Sequence, residues 1–193
     1  MNVTIIKYNA GNIQSVLFAL ERIGIAATVT DNPELLQSSD KVIFPGVGEA
    51  STAMRYLKDR KLDELIVSLK QPVLGICLGM QLMCNYSEEN DTDCLGIFDT
   101  TVKRFDDTLK VPQIGWNNIK AADNILFNGL ADNPYCYFVH SYYAAICNNT
   151  IAVTEYGNTF SSALAKDNFY GVQFHPEKSA AVGEQILKNF LSI

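Results

Sequence analysis

Along the first half of the chain the apolar positions change period repeatedly, and each change marks an element. VTIIKY (3–8) is a short β-rich run and predicts a strand. Ile13, Val16, Leu17, Leu20 and Ile23 then recur at helical spacing, with Gly24 near the stop. IAATVT (25–30) predicts a second strand and KVIFP (41–45), after a short turn-rich passage, a third. Helical spacing returns over 49–69 through Met54, Leu57, Leu62, Leu65, Ile66 and Leu69. PVLGIC (72–77) is a fully apolar strand that leads into a helix from Leu78 to about Asn85. This rhythm predicts an α/β fold, a mixed and mostly parallel central sheet with helices on both faces.

The second half is richer in strands. TTVKRF, NNIKA, CYFVHSYY, IAVTEY, SSALAK and FYGVQF all read as β, and several are expected to pair antiparallel. A closing helix follows, with Ser179 as its N-cap and Ile186, Leu187, Phe190 and Leu191 on one face. No repeat, low-complexity tract or long linker divides the pattern, so residues 1–193 are expected to form a single domain.

Composition removes several classes of function. With 48% hydrophobic and 19% charged residues, the chain has a soluble globular composition. Its 21 acidic and 15 basic residues give a net charge of -6 with no basic block, which argues against nucleic acid as a partner. No apolar stretch reaches membrane-spanning length, and MNVTIIKYNAGN reads as a first strand rather than a signal peptide. The five cysteines (Cys77, Cys84, Cys94, Cys136 and Cys147) are odd in number and irregular in spacing. They include no Cys-x-x-Cys pair, and only two histidines exist to complete a zinc site. Free thiols in a cytoplasmic protein fit best, with four of the five as buried small hydrophobes.

The fifth cysteine lies in PVLGICLGMQ (72–81). GICLG has the form Gly-x-nucleophile-x-Gly, a strand-to-helix elbow. Gly75 and Gly79 would remove side chains where strand, turn and helix crowd together, and Cys77 would sit at a helix N-terminus that favours thiolate. The Leu78 N–H could stabilise an oxyanion. A buried Cys in a glycine-containing turn explains the pentapeptide equally well.

A cysteine nucleophile needs a base, and only His140 and His175 are available. His175 follows the apolar run FYGVQF in GVQFHPEKS (171–179), at a predicted strand end. Pro176 biases His175 towards extended backbone, and extended residues two apart point the same way. Glu177 can therefore lie beside the imidazole and orient it. A capped loop with a purely structural His175 accounts for the proline but not for the co-occurrence with GICLG. A third segment, PGVGEASTAM (45–54), can aim backbone N–H groups at a carbonyl oxygen, and it lacks the Gly-Lys-Ser/Thr ending of a P-loop.

Together, PGVG, GICLGMQ and GVQFHPEKS resemble the class I (triad) glutamine amidotransferases in content and order, over most of the chain. YNAGNIQSV (8–16), PGVG in place of another glycine-rich variant, PQIGWNNI (112–119) and YFVHSYY (137–143) are together similar to the branch that serves histidine biosynthesis. The resemblance implies that Cys77 attacks the glutamine amide, that His175 moves protons to release ammonia, and that Glu177 orients His175. It assigns the oxyanion site to Gly46, Val47, Gly48 and Leu78, and glutamine binding to Gly48, Gln81, Ser141 and Tyr142. It implies no metal or organic cofactor. It also implies a (β/α)8-barrel cyclase from another chain as heterodimer partner, with Asn12, Trp116 and Tyr137 near the interface. Lys7 and Gln113 depart from the pattern, at positions where an acidic residue and a His are common. His140 fits a structural or pocket-wall role. Competing readings are an amidotransferase subunit of pyridoxal phosphate or anthranilate type, a non-catalytic regulator on the same fold, and a thiol redox protein, for which no resolving cysteine is obvious because Cys84 lies seven residues beyond Cys77.

Overall fold

The structure, a computed structural model, describes residues 1–9, 12–106 and 108–193. Ala10 and Gly11 of the YNAGNIQSV segment therefore lie outside the described residues.

In chain order the first half runs β1 (Val3–Ile6), α1 (Ile13–Arg22), β2 (Ala27–Thr30), α2 (Pro33–Gln37), β3 (Lys41–Phe44), α3 (Ala50–Asp59), α4 (Leu62–Ser68), β4 (Val73–Ile76) and α5 (Leu78–Leu82). Strands β5 (Cys84–Ser87), β6 (Thr92–Asp93), β7 (Phe98–Arg104), β8 (Gln113–Asn118) and β9 (Lys120–Ala121) follow. The chain closes with β10 (Tyr135–His140), β11 (Tyr142–Ala144), β12 (Thr150–Tyr156), β13 (Asn158–Lys166), β14 (Phe169–Val172) and α6 (Ala180–Ser192).

The main sheet has the order β2-β1-β3-β4-β14-β13-β11-β7-β5-β6. From β2 to β14 every neighbouring pair is parallel. Antiparallel pairing begins where β14 meets β13 and continues through β11 to β7. Alternate residues of the parallel strands feed two cores. Val42, Phe44 and Val73 pack on one side with α3 and α4, whereas Ile43, Leu74 and Ile76 pack on the other with α1 and α6. Thr4, a polar residue inside the fully buried β1, is accommodated by a 2.7 Å hydrogen bond between its hydroxyl and that of Ser39.

Local pattern and tertiary structure differ in five places, one of them NNIKA, which breaks at Ile119 between β8 in a two-stranded sheet and β9 in the main sheet. The helical run over 49–69 is two helices, because Leu57 and Leu62 are five apart and Lys61 between them turns left-handed at φ 56°. The helix after Cys77 ends at Leu82 instead of about Asn85, since Cys84–Ser87 is drawn into parallel pairing with β7. Within the turn-rich passage, Asn32 caps and Pro33 starts the short α2. CYFVHSYY divides at Ser141: β10 pairs with β8 in a separate two-stranded sheet, while β11 enters the main sheet between β13 and β7.

Candidate active site

Three neighbouring parallel strands deliver the site. β3 and β14 flank β4, and the register sets Phe44 opposite Gly75 and Ile76 opposite Val172. The residues that follow each strand therefore emerge side by side at the carboxyl edge of the sheet, where open α/β sheets bind ligands. After β3 comes Pro45–Gly48, after β4 comes Cys77, and after β14 come Gln173, Phe174 and His175.

Cys77 sits at the N-cap of α5 with φ 54° and ψ -110°, a conformation that costs a non-glycine residue about 1–3 kcal/mol. Its N–H donates to Val172 O at 2.8 Å, so the strand pairing holds the turn in place. The glycines on either side answer the crowding expected of them. A Cβ on Gly79 would collide with the Phe44 carbonyl, and one on Gly75 would lie 2.8 Å from Met80 N. Cys77 is almost wholly buried, with its sulfur 3.9 Å from Val139 O.

His175 is fully buried and its Nδ1 meets Glu177 Oε1 at 2.7 Å. Glu177 lies on a 3-10 turn, Pro176–Lys178, and the extended backbone of His175 brings the two side chains together. Asn12 Nδ2 donates to the same Glu177 oxygen. Nε2 of His175 is buried beside Cys77 without completing a hydrogen bond. Burial pulls the His175 pKa down. Its electrostatic interactions with Cys77 and Glu177 outweigh it and raise the value to about 10. The imidazole thus holds a proton at neutral pH. That proton is placed for a leaving group. The second histidine is different: burial lowers the pKa of His140 to about 4, outweighing a hydrogen bond to Tyr142 O. Its two ring nitrogens are taken by Tyr142 O at 2.7 Å and the Gln113 side chain at 2.9 Å.

The oxyanion segment is the unexpected part. Gly46, Val47 and Gly48 do border Cys77 and Leu78, but the Leu78 N–H donates to Gly46 O at 3.2 Å. The peptide joining Gly46 to Val47 therefore turns its carbonyl towards Leu78 and its N–H the opposite way. Two groups expected to donate to an oxyanion are thereby occupied or averted. A cleft of about 290 Å³ opens beside Cys77, walled by Gly48, Gln81, Ser141 and Tyr142 among others. All of the expected glutamine-binding residues therefore converge on one cavity. Gln81 Nε2 donates to Tyr142 O at 2.8 Å and to Gln173 Oε1 at 2.9 Å, which leaves Gln81 Oε1 for an outside donor.

Two residues at the site were not singled out from the sequence, although Gln173 lies within the GVQFHPEKS segment. Glu89 lines the cleft and accepts from the Ala50 N–H at 2.8 Å, and burial raises its pKa. It lies on a turn between short strands, with no motif around it. Gln173 is wholly buried and reaches the Cys77 sulfur. Of the three residues expected near an interface, two are in contact with each other. Trp116 is 53% exposed and packs edge-on against Tyr137 across β8 and β10, with ring centroids 6.1 Å apart. The third, Asn12, bonds to Glu177. Ser179 holds the N-cap position of α6 without capping it. Its hydroxyl donates to His175 O at 2.7 Å and accepts from Tyr137 N at 2.9 Å. The remaining cysteines are free thiols; burial pushes Cys94 and Cys136 up to about 12 and Cys84 well above its ordinary value. Among the described residues, no helix is long and apolar enough to cross a membrane.

The family described as glutamine amidotransferase class-I matches residues 4–193. Over the full length of both chains, the sequence is 57% identical to the imidazole glycerol phosphate synthase subunit HisH of Bacteroides thetaiotaomicron. It is 49% identical to the same-named subunit of Yersinia pseudotuberculosis, again over the whole of both chains. A solved glutamine amidotransferase shares the fold with a TM-score of 0.77 at 17% identity, covering 99% of this chain and 98% of that one. The PurLQS structure from Thermotoga maritima does so with a TM-score of 0.75 at 15% identity, covering 99% of this chain and 97% of that chain.

Proposed function

Because this chain belongs to the class-I glutamine amidotransferase family, we propose that it is the glutaminase subunit of an imidazole glycerol phosphate synthase. In this reading it supplies ammonia to a (β/α)8-barrel cyclase in histidine biosynthesis, as a cytoplasmic heterodimer. One observation carries the catalytic part: a strained cysteine and a buried His–Glu pair leave adjacent parallel strands at the edge of a cleft.

The Cys77 sulfur attacks the carboxamide carbon of glutamine, and the carbonyl oxygen becomes an oxyanion. His175 gives its proton to the amide nitrogen, the C–N bond breaks, and ammonia leaves a glutamyl thioester on Cys77. Water, deprotonated by His175, then hydrolyses the thioester to glutamate and frees the thiol. Glu177 fixes the ring and stabilises the imidazolium. Gln81 Oε1 and the Glu89 carboxylate are acceptors on the cleft wall, suited to the α-ammonium of glutamine, while Gly48, Ser141 and Tyr142 complete the pocket.

The partner-facing reading rests on the β8–β10 ribbon. Ile114, Trp116 and Tyr135 are more than half exposed, and Lys178 stands 5.9 Å over the Tyr137 ring. That surface is bonded to the triad: the His175 N–H donates to Tyr137 O at 2.9 Å. Docking there can move the backbone that carries the base, and Asn12 offers a second route to Glu177. The orientation of Gly46 O supports gating, since a peptide rotation is needed to supply the oxyanion donor.

The test is glutamate production from glutamine by the chain alone, and with the cyclase and its nucleotide ligand. Low basal turnover that rises strongly in the complex is expected. A folded chain that releases no glutamate in either condition overturns the assignment.

A further inference from the structure

Gln173 follows β14, two residues before His175, and its side chain is enclosed entirely by protein. A buried amide must place both of its ends, and here the neighbours dictate which end is which. Tyr142 O is a backbone carbonyl and can only accept, so the Gln81 atom 2.8 Å away is the NH2 group. The same NH2 lies 2.9 Å from Gln173, whose atom there must accept and is therefore Oε1. That leaves the Gln173 NH2 facing the Cys77 sulfur at 3.7 Å. One backbone carbonyl thus orients two side chains and aims an N–H donor at the nucleophile.

The second contact of the sulfur favours the opposite state. Val139 O, 3.9 Å away, can accept from a thiol but has nothing to offer a thiolate. The Gln173 N–H can donate only to sulfur, and does so best when sulfur is anionic. We propose that Gln173 is a positioning residue for this reaction: its N–H holds the Cys77 sulfur for attack, and its carbonyl oxygen locks Gln81 with its own oxygen free for the substrate. The proposal rests on the glutaminase reading only for its second half. The contact with sulfur stands without a substrate.

Two substitutions separate the halves. Gln173→Met keeps the length and removes both contacts. Gln173→Glu keeps an acceptor for Gln81 and removes the amide donor. The first readout is the rate of Cys77 alkylation by iodoacetamide against pH, followed by mass spectrometry, since the thiolate is the reacting form. The midpoint should rise by about one pH unit in Gln173→Met, and at least as far in Gln173→Glu, where a carboxylate faces the sulfur. The second readout is saturable labelling by a glutamine chloroketone. Gln173→Met should weaken the half-saturating concentration about tenfold and slow the labelling step, whereas Gln173→Glu should slow the step alone.

A folded Gln173→Met protein with the wild-type alkylation midpoint overturns the proposal. If that variant does not fold, an unchanged midpoint in Gln173→Glu does so. Failure of the glutaminase reading has a different signature: the chloroketone would not saturate the wild-type chain, while the iodoacetamide midpoint would still shift in the variants.

Discussion

The triad and the oxyanion segment leave the same edge of the same sheet, yet they are built differently. Cys77, His175 and Glu177 are almost entirely buried and held by strand pairing, by the Ser179 hydroxyl and by the Asn12 amide. Pro45–Gly48 emerges from β3 beside them with one peptide turned so that a carbonyl occupies the Leu78 N–H. One half of the machinery is assembled at rest and the other is not. An enzyme that must not release ammonia without an acceptor gains from that asymmetry. Under the proposed mechanism the nucleophile and the base are in place, and the oxyanion would gain the Leu78 N–H only after the Gly46–Val47 peptide turns. Rotating the Gly46–Val47 peptide changes the ψ of Gly46 and the φ of Val47, and the glycine leaves its own side of that change unrestricted.

The largest effect should come from the assembled half. Cys77→Ala should lower glutamine hydrolysis in the complex by at least about four orders of magnitude, with a melting temperature within a few degrees of wild type. His175→Gln should cost about as much, because nucleophile and base act as a unit. Residual turnover above a hundredth of wild type in either variant would move the chemistry elsewhere, with His140 the next place to look.

The gated half predicts a smaller change that depends on the partner. Adding the cyclase and its nucleotide ligand should raise turnover by about two to three orders of magnitude, the worth of a missing oxyanion donor. Trp116→Ala should lose most of that rise and keep the basal rate. Equal losses in both would mean that Trp116 supports the fold instead of transmitting docking. Glu177→Gln should fall between these extremes, on the order of 10²–10³-fold, since an amide still orients the ring but stabilises its cation less.

Asn12 tests whether the two halves communicate. Asn12→Ala should slow acylation of Cys77 about five- to tenfold by freeing the Glu177 carboxylate. Asn12→Asp should be worse, because it sets one carboxylate against another. If single-turnover rates match wild type in both variants, the contact is incidental.

The smallest effect is on stability, and the two histidines give it opposite signs. His140 titrates near 6.5 when unfolded and at about 4 in the fold, so the unfolded chain binds more protons across that window. Stability is full above 6.5 and falls as the pH drops through 4, by about 3 kcal/mol. His175 is raised, so its contribution is complete below 6.5 and is lost as the pH rises towards 10. Urea midpoints across pH 4–7 should fall more steeply for wild type than for His140→Gln, whose side chain does not titrate. Parallel curves would place the acid sensitivity in other groups.

What the chain order settles by itself is local. The period of apolar residues specifies β3, β4 and β14 as buried strands, because a parallel strand covered on both faces tolerates little else. Gly75 and Gly79 around Cys77 signal an elbow because only a missing Cβ lets α5 approach Phe44. His175 and Glu177 meet locally, because His175 is held extended before Pro176 and a 3-10 turn over Pro176–Lys178, in place of the extended run the sequence suggested, returns Glu177 beside the ring. The long-range decisions needed the fold. Asn12 and Glu177 are 165 residues apart, and Gln81 and Gln173 are 92 apart. Nothing in either segment names the other. Ser141 divides one uniform apolar run between two sheets because two different strands, β8 and β7, compete for its ends. The direction of the Gly46 carbonyl was open in the same way. Gly46 accepts either setting of its ψ, so its residue type does not fix the orientation, and the Leu78 N–H bonded to the carbonyl holds the one seen.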